Sequence, residues 1–149
     1  MKRIGIKEVE KILEEKGNLI KVDLRFADLH GAYLHKNFCG ADLRFADLSR
    51  ADLRGAILSC ADLRFADLRG ADLRNAELNM TDFRFADLRG ADLRNAELNL
   101  TDLRFADLRG ANLSGTELNL ADLRFADLRG TILPETKTVD TNFCFSVRD

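Results

Sequence analysis

Tryptophan is absent from this chain of 149 residues, and Pro134 is its one proline. Cysteine is scarce: Cys39, Cys60 and Cys144 are scattered and odd in number. That excludes a disulfide framework and points to reduced thiols in a cytoplasm. No apolar run approaches the ~20 residues needed to span a bilayer. The first residues carry charge without an apolar stretch behind them, so no signal peptide is expected. Excess charge of one sign is also missing. Charged residues make up 32% of the chain, yet the net charge is only −2, so no long-range field draws in nucleic acid or an acidic membrane. There is no Gly-rich phosphate loop opening a helix, no nucleophile elbow and no paired CxxC, which argues against an enzyme.

What is present is a repeat. From Val22 to Leu133 the chain reads as five-residue units of the form A-D-L-R-x. The positions are named here first (Ala), second (Asp), centre (Leu), fourth and fifth. Centres are leucine except at Phe38 and Phe83. On a helix, five residues advance about 140° beyond a full turn, so the leucines would spiral and build no stripe. On a long strand the odd spacing would flip them to the other face at every unit. A short extended stretch followed by a corner satisfies the pattern. First and centre positions then point inward, second and fourth point outward, and the fifth sits at the corner.

A second period sets the number of corners. Phe45, Phe65, Phe85, Phe105 and Phe125 recur every 20 residues, so four units make one coil. Phe26 precedes Phe45 by 19, because one residue is missing between Leu34 and Phe38. Phe145 follows Phe125 by 20, so the decayed tail is expected to begin another coil. The stack comes to about six coils, roughly 30 Å at ~4.8 Å each.

Four faces follow. Face 1 has centres Leu24, Leu43, Leu63, Phe83, Leu103 and Leu123; face 2 has Leu29, Leu48, Leu68, Leu88, Leu108 and Leu128. Face 3 has Leu34, Leu53, Leu73, Leu93, Leu113 and Leu133, and face 4 has Phe38, Leu58, Leu78, Leu98 and Leu118. Face 2 ends in Gly70, Gly90, Gly110 and Gly130, and face 3 in Gly55, Asn75, Asn95 and Gly115, residues that tolerate φ > 0 and suit type II turns. Face 1 ends in Phe, and face 4 in Met80, Leu100 and Leu120. Bulky residues avoid φ > 0, so another turn type is expected at those corners.

The repeated ADLRG, ADLRN and ANLSG units resemble the pentapeptide-repeat family over about three-quarters of the chain. The resemblance implies an all-β solenoid, a right-handed quadrilateral β-helix. It also implies a non-enzymatic binding role and, in some members, dimerisation through the C-terminal end. Members that protect DNA gyrase from quinolones act as acidic DNA mimics, which makes gyrase or another topoisomerase the alternative target here.

Outward Asp and Arg columns form a lattice of weak surface ion pairs. Face 4 departs from it, with Glu77, Glu97 and Glu117 at second positions and Asn79, Asn99 and Asn119 at fourth, where aligned amides can hydrogen-bond along the stack. His30 and His35 sit on adjacent faces and diverge around a corner, so no metal site and no cofactor is expected. The sharper signal is apolar. Phe65, Phe85, Phe105 and Phe125 border one edge of face 1, and Met80, Leu100 and Leu120 the other. Contiguous exposed apolar surface marks an interaction site, here for an unidentified protein. The same phenylalanines could instead merely stack and shield the turns.

At the N-terminus, Ile6, Val9, Ile12 and Leu13 keep helical spacing and Gly17 is a stop signal, predicting a helix over 5–16 that caps the first coil. The expected division is therefore 1–17 cap, 18–133 repeat body and 134–149 degenerate coil. Phe143, Phe145 and Val147 are the candidate dimer end.

Overall fold

The computed structural model describes residues 4–135 and 139–149. The expected end segments include residues 1–3 and 136–138, which lie outside the described residues. One helix, α1 (Ile6–Lys16), is followed by a chain that turns a corner after each short extended stretch. Gly17, in the left-handed conformation at φ 71°, ends the helix and donates its N–H to the Leu13 carbonyl. Val9 is buried, and Ile4, Ile12 and Leu13 pack against the core.

Four columns of parallel bridges run along the stack. Asp42, Asp62, Asp82, Asp102, Asp122 and Asn142 pair successively on face 1, and Asp47, Asp67, Asp87, Asp107, Asp127 and Val147 on face 2. Gly5 pairs with Asp28, so the chain before α1 adds a rung to face 2. Early bridges such as Asp23 with Asp42 and Tyr33 with Asp52 join residues 19 apart, whereas Asn37 with Ile57 is 20 apart. The missing residue is absorbed at Leu34, whose carbonyl accepts from Lys36, a tightened three-residue turn. Leu19, at 0% exposure, stands on Phe38 as one more inward centre, ahead of the first unit recognised in the sequence.

A regular Ala-Asp-Leu-Arg unit satisfies all five of its amides, as one in the third coil shows. Ala66 donates to Leu63 within the corner, and Asp67 donates to Ala46 of the preceding coil. Leu68 and Gly70 donate to Asp87 and Arg89 of the following coil. The fourth amide, Arg69, donates to the carboxylate of Asp67. No N–H in the unit is left for a partner strand, so the extended stretches remain single-bridge rungs of a stack.

The inward assignment holds from Leu24 to Leu128, where Leu and Ala at centre and first positions are buried, whereas the last centre, Leu133, is only partly buried. Thr81, Thr101 and Thr116 are buried in place of Ala, and their hydroxyls donate to the Leu58, Leu98 and Leu113 carbonyls.

The corners correct the sequence reading. Phe45, Phe65, Phe85, Phe105 and Phe125 lie at φ 60–62°, and Met80, Leu100 and Leu120 at φ 59–61°, the same region as Gly70, Gly90 and Asn75. With the centre carbonyl accepting from the next first amide, one type II turn serves these corners whatever residue occupies them. The cause is not local. A coil must register with the coils above and below, so a corner of different geometry would break two sets of inter-coil hydrogen bonds. That outweighs the ~1–2 kcal/mol that the left-handed region costs an L-residue.

Candidate functional site

Face 1 carries two apolar ridges separated by a charged strip. On the first ridge the phenylalanine rings stack in an unbroken ladder from Phe26 to Phe145. Phe65 and Phe85 lie 5.0 Å apart between centroids at 3°, Phe105 and Phe125 4.9 Å apart at 5°. These rings still leave nearly half of their surface to water, 47% for Phe65 and Phe105. Shielding and exposure therefore coexist on this ridge. On the second ridge Met80, Leu100 and Leu120 expose 54%, 53% and 54% of their surface.

Between the ridges each aspartate is gripped by the arginine two residues on. Arg104 donates Nε to Asp102 Oδ1 at 2.8 Å and Nη2 to Oδ2 at 2.6 Å, while its backbone N–H closes onto Oδ1 at 3.2 Å. The same Nε lies 3.7 Å from Asp122 of the next coil, so the strip is a continuous ladder of opposite charges. Side-chain hydrogen bonds from the arginines hold Asp42 and Asp122 below the usual carboxylate range. On face 2, Arg129 brings Asp127 down to about 2. These carboxylates are locked ionised, which is the opposite of what general acid catalysis at neutral pH requires.

The family model for pentapeptide repeats, described as eight copies, matches residues 18–59, 56–95 and 96–133. The chain belongs to the pentapeptide-repeat family. Among solved structures, alr5209, a pentapeptide repeat protein from Nostoc PCC 7120, is 32% identical at a TM-score of 0.53, covering 95% of this chain and 98% of its own. A trypsin-treated variant of QnrB1, a plasmid-mediated fluoroquinolone resistance protein, is 19% identical at a TM-score of 0.53, covering 85% of this chain and 79% of its own, and shares the fold. These relatives are right-handed pentapeptide-repeat β-helices. No curated protein matches.

Against the pentapeptide-repeat pattern, face 4 is the departure. A glutamate carboxylate is one methylene too far to cap the amide two residues on, as aspartate does. The asparagine of the preceding coil takes over: Asn99 N–H donates to Asn79 Oδ1 at 3.1 Å and Asn119 N–H to Asn99 Oδ1 at 3.0 Å. The freed amide groups hold the glutamates, Asn79 Nδ2 donating to Glu97 at 2.7 Å and Asn99 Nδ2 to Glu117 at 2.9 Å. The amide column expected from the sequence thus exists, but it serves mainly backbone and carboxylate rather than amide alone.

His30 pairs with Ser49 at 2.7 Å and His35 with Asp52 at 2.6 Å on separate faces. Among the described residues no group of His, Cys, Asp and Glu is arranged to hold a metal ion. Cys39, Cys60 and Cys144 are free thiols, and no helix among the described residues is long and apolar enough to cross a membrane. At the C-terminal end, Phe143 packs against the core below Leu123, Phe145 prolongs the ring ladder at 5.2 Å from Phe125, and Val147 bridges Asp127. Arg148 falls at a centre position and lies over the Phe143 ring, 4.4 Å from its centroid, and Asp149 accepts from the Gly130 amide. The sequence pointed to a decayed coil beginning here, but not to the contacts of Arg148 and Asp149, because Arg at a centre position breaks the repeat.

Proposed function

We propose that this protein is a non-catalytic scaffold that binds another protein through face 1, with Phe65, Phe85, Phe105 and Phe125 on one side and Met80, Leu100 and Leu120 on the other. The observation that carries this reading is the conformation of the second ridge. Met80, Leu100 and Leu120 occupy left-handed corners that Gly or Asn would occupy with less strain, and they gain no ring stacking there. A bulky apolar side chain that is both strained and half in water contributes little to the isolated fold. It suits a surface that a partner covers.

In this reading the rod is about six coils long, roughly 30 Å. Residues 18–133 form its body, with α1 covering the N-terminal end and the described residues 139–149 forming a degenerate last coil. The free thiols suit a cytoplasmic, reducing setting. The C-terminal end, with Phe145 and Val147 exposed, supports a homodimer through Phe143, Phe145 and Val147. Mimicry of DNA toward gyrase is the weaker reading, because arginines neutralise the aspartates of face 1 pair by pair.

The test is affinity capture from the source cell with the intact chain and with Leu100→Asn/Phe105→Asn/Leu120→Asn, which keeps residues that tolerate φ > 0. A partner recovered by the first bait and lost with the second supports the reading. Equal recovery by both removes face 1 as the site. Recovery of a type II topoisomerase, with inhibition of its supercoiling activity by the pure chain, favours DNA mimicry instead.

A further inference from the structure

We propose that the Met80–Leu100–Leu120 ridge, together with the Glu77–Glu97–Glu117 column beside it on face 4, docks a basic amphipathic helix of a partner protein, laid along the solenoid axis. This rests on the ridge being a docking surface, as above, and adds the chemistry of its occupant.

Charge fixes the sign of the partner. On the face 1 side of the ridge, Asp82, Asp102 and Asp122 are each held by their own arginine at 2.6–2.7 Å. On the face 4 side the three glutamates are exposed and form no ion pair among the described residues. Their neighbours are neutral asparagines, which position Glu97 and Glu117 by amide hydrogen bonds without cancelling their charge. This column is therefore a fixed row of negative charge alongside an apolar ridge, and it repels nucleic acid and anionic membranes while attracting Lys or Arg.

Spacing fixes the shape of the partner. Successive rungs are ~4.8 Å apart. An extended segment laid along the axis repeats its side chains on one face every ~6.6 Å and falls out of step by nearly 2 Å per rung. A helix repeats every ~5.4 Å, so it drifts only ~0.6 Å per rung and ~1.2 Å between Met80 and Leu120, within side-chain reach. Ridge and column are separated along the strand by about three residues, ~10 Å, which a helix ~10–12 Å across spans. Leucines at i, i+4 and i+7 then meet the ridge while lysines on one flank reach the glutamates.

The experiment uses the intact chain and a synthetic helical peptide of about 18 residues with that Leu stripe and Lys flank. Binding is followed by fluorescence anisotropy at about 50 and about 300 mM salt. A scrambled peptide of identical composition and a Lys→Glu peptide are the controls. We expect Glu77→Gln/Glu97→Gln/Glu117→Gln to weaken binding about tenfold and to flatten its salt dependence, Leu100→Asn/Leu120→Asn to weaken it to a similar extent, and Tyr33→Asn, at an exposed position on face 3, to leave it unchanged. Thermal melts confirm that each variant is folded. Equal binding of the scrambled peptide, insensitivity to the Glu→Gln changes, or no binding by the intact chain overturns the proposal. Loss of binding with Phe105→Asn but not with the Glu→Gln variant also overturns it, while leaving the face 1 reading standing.

Discussion

The rings of Phe85 and Phe105 stack 4.9 Å apart with only 4° between their planes, on residues 20 apart in the chain and both at φ 60–61°. The stack and the backbone strain are therefore two sides of one corner, and substitution can separate them. Phe105→Ala removes two ring contacts, each worth ~0.5–1.5 kcal/mol, and keeps a Cβ in the left-handed region. Phe105→Gly removes the same contacts and relieves the strain. The Gly variant should be more stable than the Ala variant by about 1 kcal/mol in urea unfolding. An Ala variant at least as stable as the Gly variant would contradict the left-handed corner.

Leu88 stands at a centre position with 0% exposure. Leu88→Ala should cost about 2–5 kcal/mol, because adjacent coils are hydrogen-bonded above and below and cannot collapse onto the cavity. Leu88→Asp places an unpaired carboxylate in the same column and should abolish the cooperative thermal transition. A transition unchanged from the parent protein would place position 88 on the surface.

Acid sensitivity follows from the ion-pair ladder. Hydrogen bonds from Arg25 and Arg129 lower Asp23 and Asp127 from 3.8 to about 2. A folded-state value below the unfolded one means that this stabilisation is complete above pH ~4 and disappears as pH falls toward 2. Thermal stability should therefore be flat in these groups near neutrality and decline below pH ~4. In Arg129→Gln the Asp127 carboxyl, followed by NMR, should titrate closer to 3.8. An unmoved midpoint would mean that the ion pair is not formed in solution.

The amide column on face 4 predicts a local effect. Asn99 Oδ1 accepts from both the backbone N–H and the side chain of Asn119, and its own Nδ2 holds Glu117. Asn99→Ala leaves that backbone N–H without its partner, at a cost of about 1–3 kcal/mol. Hydrogen exchange at Asn119 should accelerate while exchange at Arg109, whose amide is capped by its own Asp107, stays unchanged. Unaltered exchange at Asn119 would show that the Asn99 side chain does not protect that N–H in solution.

The sequence alone determined which side chains face inward, that the chain closes every four units, and that 19 residues separate the first two phenylalanines of the ladder. Those features follow from side-chain alternation over two or three residues, which is local chemistry repeated many times. It also placed α1 and its glycine stop, because helix periodicity and capping are read within a dozen residues. Other features depended on the coils above and below. Nothing near Phe85 or Leu100 marks a left-handed residue, since registry with neighbouring coils, not intrinsic preference, sets φ there. Asn79 reaches the amide of Asn99 and the carboxylate of Glu97 only because the stack brings residues 18 and 20 apart in sequence within hydrogen-bond distance. Leu19 became a centre, and Arg148 came to lie over Phe143, by stacking on the coil next to each. Local pattern decided the direction of each side chain; only the stacked structure decided what each side chain meets, because the contacts of a solenoid are made a full coil away.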